Sequence, residues 1–502
     1  MGLVAVIAEA AMLDLRGFGA IILLCFVVVR IIVRRYWTPI ADIPGPILAS
    51  FSASWQVYHL WKGHIEEELI SLHKKHGMLR YFIRIGENEV SVSHPDAVKQ
   101  LLHANITKGS WYSIFSLPDY NYVNQMSELN PRRHIEKYRN IAAGFALSNI
   151  IMFESHVDAV LQKLEEHLDG FCNSGEAVEF DKWFSFFAFD VLGEVTFSKS
   201  FGFVETGTDV RNAVANTKAL ALYIAAMGHY VWFHNLTLGN PLLSRIGIQP
   251  SSHIFDTCLA AIDARKKNTE TRNDMMQRWL DVRAKYPDRM AENELLAAAV
   301  GNIGAGADTV GATAQALIYY LLRHSEYLQR VREEIDTAQE RGELSPMVQY
   351  NEAQKLPFLQ ACLKETYRYH SAVVGGLPRV VPAGGMTIGG RYFPEGIVLS
   401  INTWVFHRNP EIFGEDCDSF KPDRWLQKDT TRLDSFLIHW GAGYNQCPGR
   451  NLAQFELLKL LTTLIRDYDI ELIDPTKEWV FKSQFLAVPS GWPCKIRRRM
   501  GK

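Results

Sequence analysis

At 502 residues, with 47% apolar and 22% charged, the chain can bury a large core and is too apolar for a disordered majority; length alone would suggest two or three domains. A formal net charge of −2 offers no basic field for nucleic acid. The seven cysteines, at 25, 172, 258, 362, 417, 447 and 494, are odd in number and contain no Cys-x-x-Cys pair. That argues against a disulfide framework and a structural zinc site, and suits a reducing compartment.

The first element in chain order is an apolar stretch from Gly17 to Val33, broken only by Arg30 and followed by Arg34, Arg35, Tyr36 and Trp37. A bilayer span needs roughly 20 apolar residues, with about 17 as the lower limit, so a transmembrane helix is predicted over residues 17–37. Arg30 can snorkel to one end, and the basic flank on the C-terminal side predicts a cytosolic body. Glu9, Asp14 and Arg16 do not form the positive n-region of a signal peptide, and no Ala-x-Ala site follows. Gly2 lacks the Ser/Thr at position 6 that myristoylation needs. Residues 1–43 therefore read as an anchor with the start of a hinge, Ile43-Pro44-Gly45-Pro46, stiffened by two prolines. Residues 44–502 read as one mostly helical domain with a small β-rich part.

Residues 80–95 alternate as a small β-hairpin does. A long loop from Trp111 to Asn130 is rich in aromatics, Phe115 among them, and a basic helical segment with Arg132, Arg133, His134, Lys137 and Arg139 runs to Phe145. Residues 150–290 are helical in pattern and say little more. The sequons at Asn105 and Asn235 would stay bare on a cytosolic body.

Residues 293–323 form the longest apolar-periodic helix in this reading, with glycines at 301, 304, 306 and 311. Each costs about 1 kcal/mol against alanine inside a helix, so the segment needs close approach or a local opening. Asp308 and Thr309 sit in this apolar helix, where an unpaired polar group is costly. Further on, Glu365 and Arg368 lie three apart on one helix face, as a surface ion pair would. Leu377-Pro378-Arg379 follows that helix, and Phe420-Lys421-Pro422-Asp423-Arg424-Trp425 comes later.

The chain is organised around His439-Trp440-Gly441-Ala442-Gly443-Tyr444-Asn445-Gln446-Cys447-Pro448-Gly449-Arg450. Two glycines suit a turn, and the run Leu452–Ile465 has helical periodicity. Cys447 thus stands at a loop-to-helix junction, where free N–H groups and the helix dipole favour a thiolate.

This loop resembles the haem-binding loop of the cytochrome P-450 family, Phe-Gly-x-Gly-x-Arg-x-Cys-x-Gly, with Trp440 for Phe and Asn445 for Arg. Ala305-Gly306-Ala307-Asp308-Thr309 resembles the family's oxygen-activation motif. Glu365-x-x-Arg368 with Arg424 resembles its buried ionic network. The resemblance covers nearly all of the chain from residue 44 and implies the P-450 fold behind one N-terminal transmembrane helix. It also implies haem b with Cys447 as axial iron ligand and with Trp440, Gly441, Gly443, Asn445 and Gly449 shaping the loop. The uncharged Asn445 puts one propionate contact in doubt. Arg379, with His134, Lys137 and Arg139, is expected to hold the propionates. Thr309 would hydrogen-bond dioxygen across a slight opening of the helix, with Asp308 relaying protons. Glu365, Arg368 and Arg424 would lock the scaffold. Phe115, Ala305, Val374 and Leu486 would line the substrate pocket, reached by the stretch 371–376 and a C-terminal hairpin over 482–493.

The reaction so implied inserts one oxygen atom into a lipophilic small molecule, with electrons from NADPH through cytochrome P-450 reductase and cytochrome b5 as a possible second donor. The implied setting is the endoplasmic reticulum membrane and fungal secondary metabolism of the pisatin-demethylase-like group. Two alternatives remain at this stage: a haem-thiolate isomerase or dehydratase needing neither oxygen nor reductase, and a non-catalytic haem sensor or carrier.

Overall fold

A computed structural model describes residues 2–76, 81–246, 252–267 and 273–499. The chain is mostly helical and wraps around one central helix, Glu292–Arg323, of 32 residues. That helix packs most extensively against Phe180–Phe197 and also against Arg450–Asp467. Its glycines explain part of this packing. A Cβ at Gly306 would lie 2.7 Å from the Leu192 side chain, so a bare backbone is what lets the two helices meet. By length and composition alone the central helix would pass for a membrane span, but it is mostly buried, as a core helix is.

Among the described residues, ten short strands make up the β part. Strands β1 (Phe82–Arg84), β2 (Glu89–Val92), β3 (Arg379–Val380) and β6 (Val398–Ser400) form a sheet in the order β1-β2-β6-β3. The pair β1–β2 is the predicted hairpin within residues 80–95, though Arg80 lies outside the described residues. Strand β6 runs parallel to β2 and antiparallel to β3, which carries Arg379 to the sheet edge. Strands β4 (Met386–Ile388) and β5 (Arg391–Phe393) form one ribbon, and β7 (Tyr468–Leu472) and β10 (Cys494–Arg498) another. The third, β8 (Val480–Ser483) with β9 (Ala487–Ser490), is the predicted C-terminal hairpin, tipped by Gln484, Phe485 and Leu486.

The N-terminal helix runs from Gly2 to Tyr36 and, at 35 residues, is longer than the central one, contrary to expectation. Its residues Phe18 to Val29 are exposed. The hinge after it is not loose. Ile40 and Ile43 belong to the main core, and the Arg84 N–H donates to the Pro44 carbonyl at 2.7 Å. The buried Arg84 guanidinium donates to the carbonyls of Arg34 (2.6 Å), Arg35 (3.4 Å), Ser50 (3.0 Å) and Glu87 (2.8 Å). It thereby caps the negative end of the N-terminal helix with a cation. Arg30 and Arg34 add ion pairs to Glu87 at 2.8 and 3.4 Å.

Candidate functional site

The middle of the central helix is buried at Ile303, Ala307, Asp308 and Val310, yet Gly304 and Ala305 are exposed and Thr309 is half-buried. No atom comes within 4 Å of a Cβ built at Gly304. These residues share one face, so a core helix turns that face to an open space. The helix is continuous there, against the expectation of an opening at the glycine. Gly306 serves the contact with Leu192 instead, and the Thr309 hydroxyl donates to the carbonyls of Ala305 (2.9 Å) and Gly306 (3.2 Å). Asp308 is buried with Oδ1 unpartnered. Burial pushes its pKa up, opposed by a hydrogen bond from Thr217 and the charge of Lys218.

The cysteine loop is closed by the Cys447 N–H donating to the Trp440 carbonyl at 2.7 Å. Gly441 and Gly443 have φ of +69° and +62°, which a side chain rarely tolerates. A Cβ at Gly443 would lie 2.6 Å from the Leu102 carbonyl oxygen, so that position is doubly closed to any other residue. Gly449 has an ordinary φ of −76°, and a Cβ there would clear the Cys447 sulfur at 3.8 Å. The protein's own atoms do not demand that glycine. Trp440 stands edge-on to Tyr367, ring centroids 5.2 Å apart. Cys447 precedes the helix Arg450–Asp467, as its place in the sequence predicts. The N–H groups of Gly449 and Arg450 do lower its pKa, but burial outweighs them and the thiol is pushed up. A junction geometry alone therefore does not make the thiolate; an adjacent metal cation would.

Two buried basic side chains, Arg379 and Lys108, lie together, and the nearby charge of Glu128 only partly offsets the burial of Lys108. Arg379 donates from Nη1 to the Tyr112 hydroxyl (3.2 Å) and the Pro378 carbonyl (3.0 Å), and its Nε has no partner. Lys108 donates to the carbonyls of Gln125 (2.8 Å) and Met126 (3.0 Å) and to His134 Nδ1 (3.1 Å). Burial, with Arg379 beside it, drives the Lys108 pKa down to about 7. His134 is buried, held near pKa 4 by desolvation, and donates from Nε2 to the Tyr444 carbonyl at 3.0 Å. Both side-chain atoms of Asn445 are buried and unpartnered.

This donor set fits the two propionates of a haem: buried basic side chains with no ion pair among the described residues, and orphaned polar atoms beside the cysteine loop. Lys137 and Arg139 do not join it. The Lys137 ammonium pairs with Glu294, whose carboxylate also accepts the Ala291 N–H at 3.2 Å at the start of the central helix, and Arg139 is exposed. Sequence reading missed Lys108, since nothing about an isolated lysine before Gly109 distinguishes it from a surface one.

A pH effect follows. The unfolded chain keeps the Lys108 proton up to about pH 10.5, whereas the folded haem-free protein sheds it above about 7. Stability is then lost as pH falls from 10.5 toward 7. Urea unfolding of haem-free protein at pH 7 and pH 9.5 should show this slope, and Lys108→Met should flatten it; an unchanged slope would remove Lys108 as its source.

The ionic network forms as the sequence predicts. Glu365 accepts from Arg368 (2.7 and 2.9 Å), Arg424 (3.1 Å), the Trp425 indole (2.9 Å) and the Lys421 N–H (2.7 Å). Arg368 also donates to the carbonyls of His407 (2.9 Å), Cys417 (2.6 Å) and Ser419 (2.8 Å). All three charges are buried and fully paired, as the cost of burying them requires.

Three distant segments meet around Phe485 and Leu486. Phe115 and Phe485 have ring centroids 5.1 Å apart, Leu486 pairs with Val373, and the Val374 N–H donates to the Phe485 carbonyl at 2.9 Å. Phe115, Val374 and Leu486 thus come together, with Ala305 on the exposed helix face.

With this geometry in hand, the comparisons are specific. The family model "Cytochrome P450" matches residues 43–492. The chain is 30% identical over 492 residues to "Cytochrome P450 monooxygenase cicH" of Emericella nidulans, covering 94% of this chain and 97% of that one. It is 32% identical over 463 residues to a "Cytochrome P450 monooxygenase" of Aspergillus terreus, covering 87% and 91%. A "Pisatin demethylase" of Fusarium vanettenii is 29% identical over 463 residues, covering 89% and 87%. The matched length, the helical fold and the cysteine loop agree, and the chain belongs to the cytochrome P450 family, whose members carry a haem-thiolate centre.

Proposed function

We propose that Cys447 ligates the iron of haem b and that the protein inserts one oxygen atom into a lipophilic small molecule of fungal secondary metabolism. The observation that carries this reading is the cysteine loop itself, with Cys447 half-buried at its end and receiving the N–H groups of Gly449 and Arg450. Electrons come from NADPH through a reductase, and the exposed apolar helix anchors the enzyme in the endoplasmic reticulum membrane. The haem, once bound, supplies the oxidation chemistry.

The protein's own part is positioning and proton supply. Lys108, Arg379, His134 and Asn445 would hold the propionates. The Thr309 hydroxyl proton rests on the Ala305 carbonyl, and rotation about its side chain turns that proton toward the open face. Asp308, whose pKa burial raises, stands one residue away with its Oδ1 unpartnered and would pass a proton along. The monooxygenase names of the relatives favour this over an isomerase or a sensor.

The test is product formation with reductase and NADPH, since an isomerase would turn over without either. Thr309→Ala should keep the thiolate spectrum but lower product per NADPH by about tenfold or more. Unchanged coupling would take Thr309 out of the mechanism.

A further inference from the structure

A second group of metal-ligating side chains stands at the start of the helix Ile65–Lys75, none of them part of the cysteine loop. His64, Glu66 and Glu67 each bring one ligand atom within 4.8 Å of the other two. His64 Nδ1 and Glu67 Oε1 are 3.8 Å apart, and both side chains are exposed. Acidic residues in a first turn are ordinary, because the helix dipole favours them, and that accounts for Glu67 and Glu68. It does not account for Glu66, which is fully buried.

The two carboxylate oxygens of Glu66 differ. Oε2 accepts the Ser483 hydroxyl, which also lies 3.0 Å from the Gly63 carbonyl, whereas Oε1 has no partner. The charge of Arg408 reaches Glu66, but the Arg408 N–H groups go to the carbonyls of Trp404 (3.2 Å) and Tyr369 (3.0 Å), and its ion pair is with Asp418. Glu67 adds a second negative charge nearby. A buried carboxylate oxygen with nothing to accept from is costly, and a like charge beside it raises the cost. A cation held between the three side chains removes both penalties. The support for such a site is already built. The Ser483 N–H donates to the Gly63 carbonyl at 2.7 Å, and His64 bridges to Ser483, so the β8–β9 hairpin fixes the start of the helix. The Ser483 hydroxyl then orients the Glu66 carboxylate, as an outer donor does for a metal ligand.

We propose that His64, Glu66 and Glu67 form a binding site for one divalent transition-metal cation of the zinc class, with the free oxygen of Glu66 as its inner ligand. One imidazole with two carboxylates suits zinc, whereas magnesium and calcium take oxygen ligands. Zinc holds such ligands at about 2.0–2.2 Å, so binding draws the exposed His64 and Glu67 side chains toward Glu66, and water fills the fourth position. The bound ion ties the start of the helix to the hairpin that carries Phe485. This site does not depend on the monooxygenase reading.

The experiment titrates zinc chloride by calorimetry into untagged, chelator-treated full-length holoprotein, beside magnesium chloride and calcium chloride. One zinc per chain should bind at least about tenfold tighter than either of the other two ions. His64→Ala and Glu67→Gln alter exposed side chains and leave the fold alone, and each should weaken zinc binding by about tenfold or more. Glu66→Gln, which keeps the side-chain shape and an acceptor for Ser483, should do the same. Should that variant fail to accumulate, Ser483→Ala acts on the same carboxylate from outside the metal, with the same expected loss. No zinc binding, or magnesium binding as tightly as zinc, would overturn the proposal. So would zinc affinity unchanged in the variants, which would put the ion elsewhere on the surface. A loss confined to His64→Ala and Glu67→Gln would also overturn it, because the buried carboxylate would then play no part.

Discussion

Cys447→Ala abolishes the red-shifted Soret band of the reduced carbon-monoxide complex and, with it, all NADPH-dependent product. The magnitude is total because no second ligand of the same kind is at hand. Cys258, Cys362, Cys417 and Cys494 are buried elsewhere, Cys172 lies half-buried on the helix Glu154–Ser174, and Cys25 lies on the N-terminal helix. The loop itself should survive, since its closure runs through the Cys447 backbone and the two left-handed glycines. Haem content of the variant, read against protein concentration, separates a lost ligand from a lost fold. A thiolate band in the alanine variant would refute the assignment.

Glu365→Ala has the second largest expected effect. It removes one carboxylate and strands two buried guanidiniums, each of which keeps carbonyl partners but no neutralising charge, apart from the bond of Arg424 to Asp416 at 3.0 Å. Breaking a buried ion pair from one side costs about 3–5 kcal/mol, against a total stability of about 5–15 kcal/mol. The variant should accumulate little soluble holoprotein. Glu365→Gln, which keeps two acceptor geometries and loses the charge, should fall between. A melting temperature within about 2 °C of wild type for the alanine variant would mean that the network does not hold the scaffold.

The legible parts of the sequence are those where spacing and chemistry coincide. The loop glycines, Cys447, the Glu365–Arg368 pair and the central helix are local patterns, and the fold sets them where those patterns require. What stayed hidden depends on contacts across hundreds of residues. Lys108 is indistinguishable from a surface lysine until Arg379, on a strand paired through β6, comes beside it. Lys137 and Arg139 lie on the expected helix, but which way each points is a matter of helical phase. One meets Glu294 and the other meets solvent. The expected opening of the central helix failed for a similar reason. A glycine permits both a distortion and a close approach, and only the position of Leu192 decides between them.

The clasp of Arg84 on the carbonyls of Arg34 and Arg35 bears on how a soluble form of the enzyme should be cut. Deleting everything through Tyr36 would take away two acceptors of a buried guanidinium and both partners of Glu87, leaving uncompensated charges on the catalytic body. A start just before Arg30 sheds the exposed apolar run from Phe18 to Val29 and keeps the clasp whole. The length of the trimmed leader, rather than its hydrophobicity alone, then decides whether the shortened protein is well behaved.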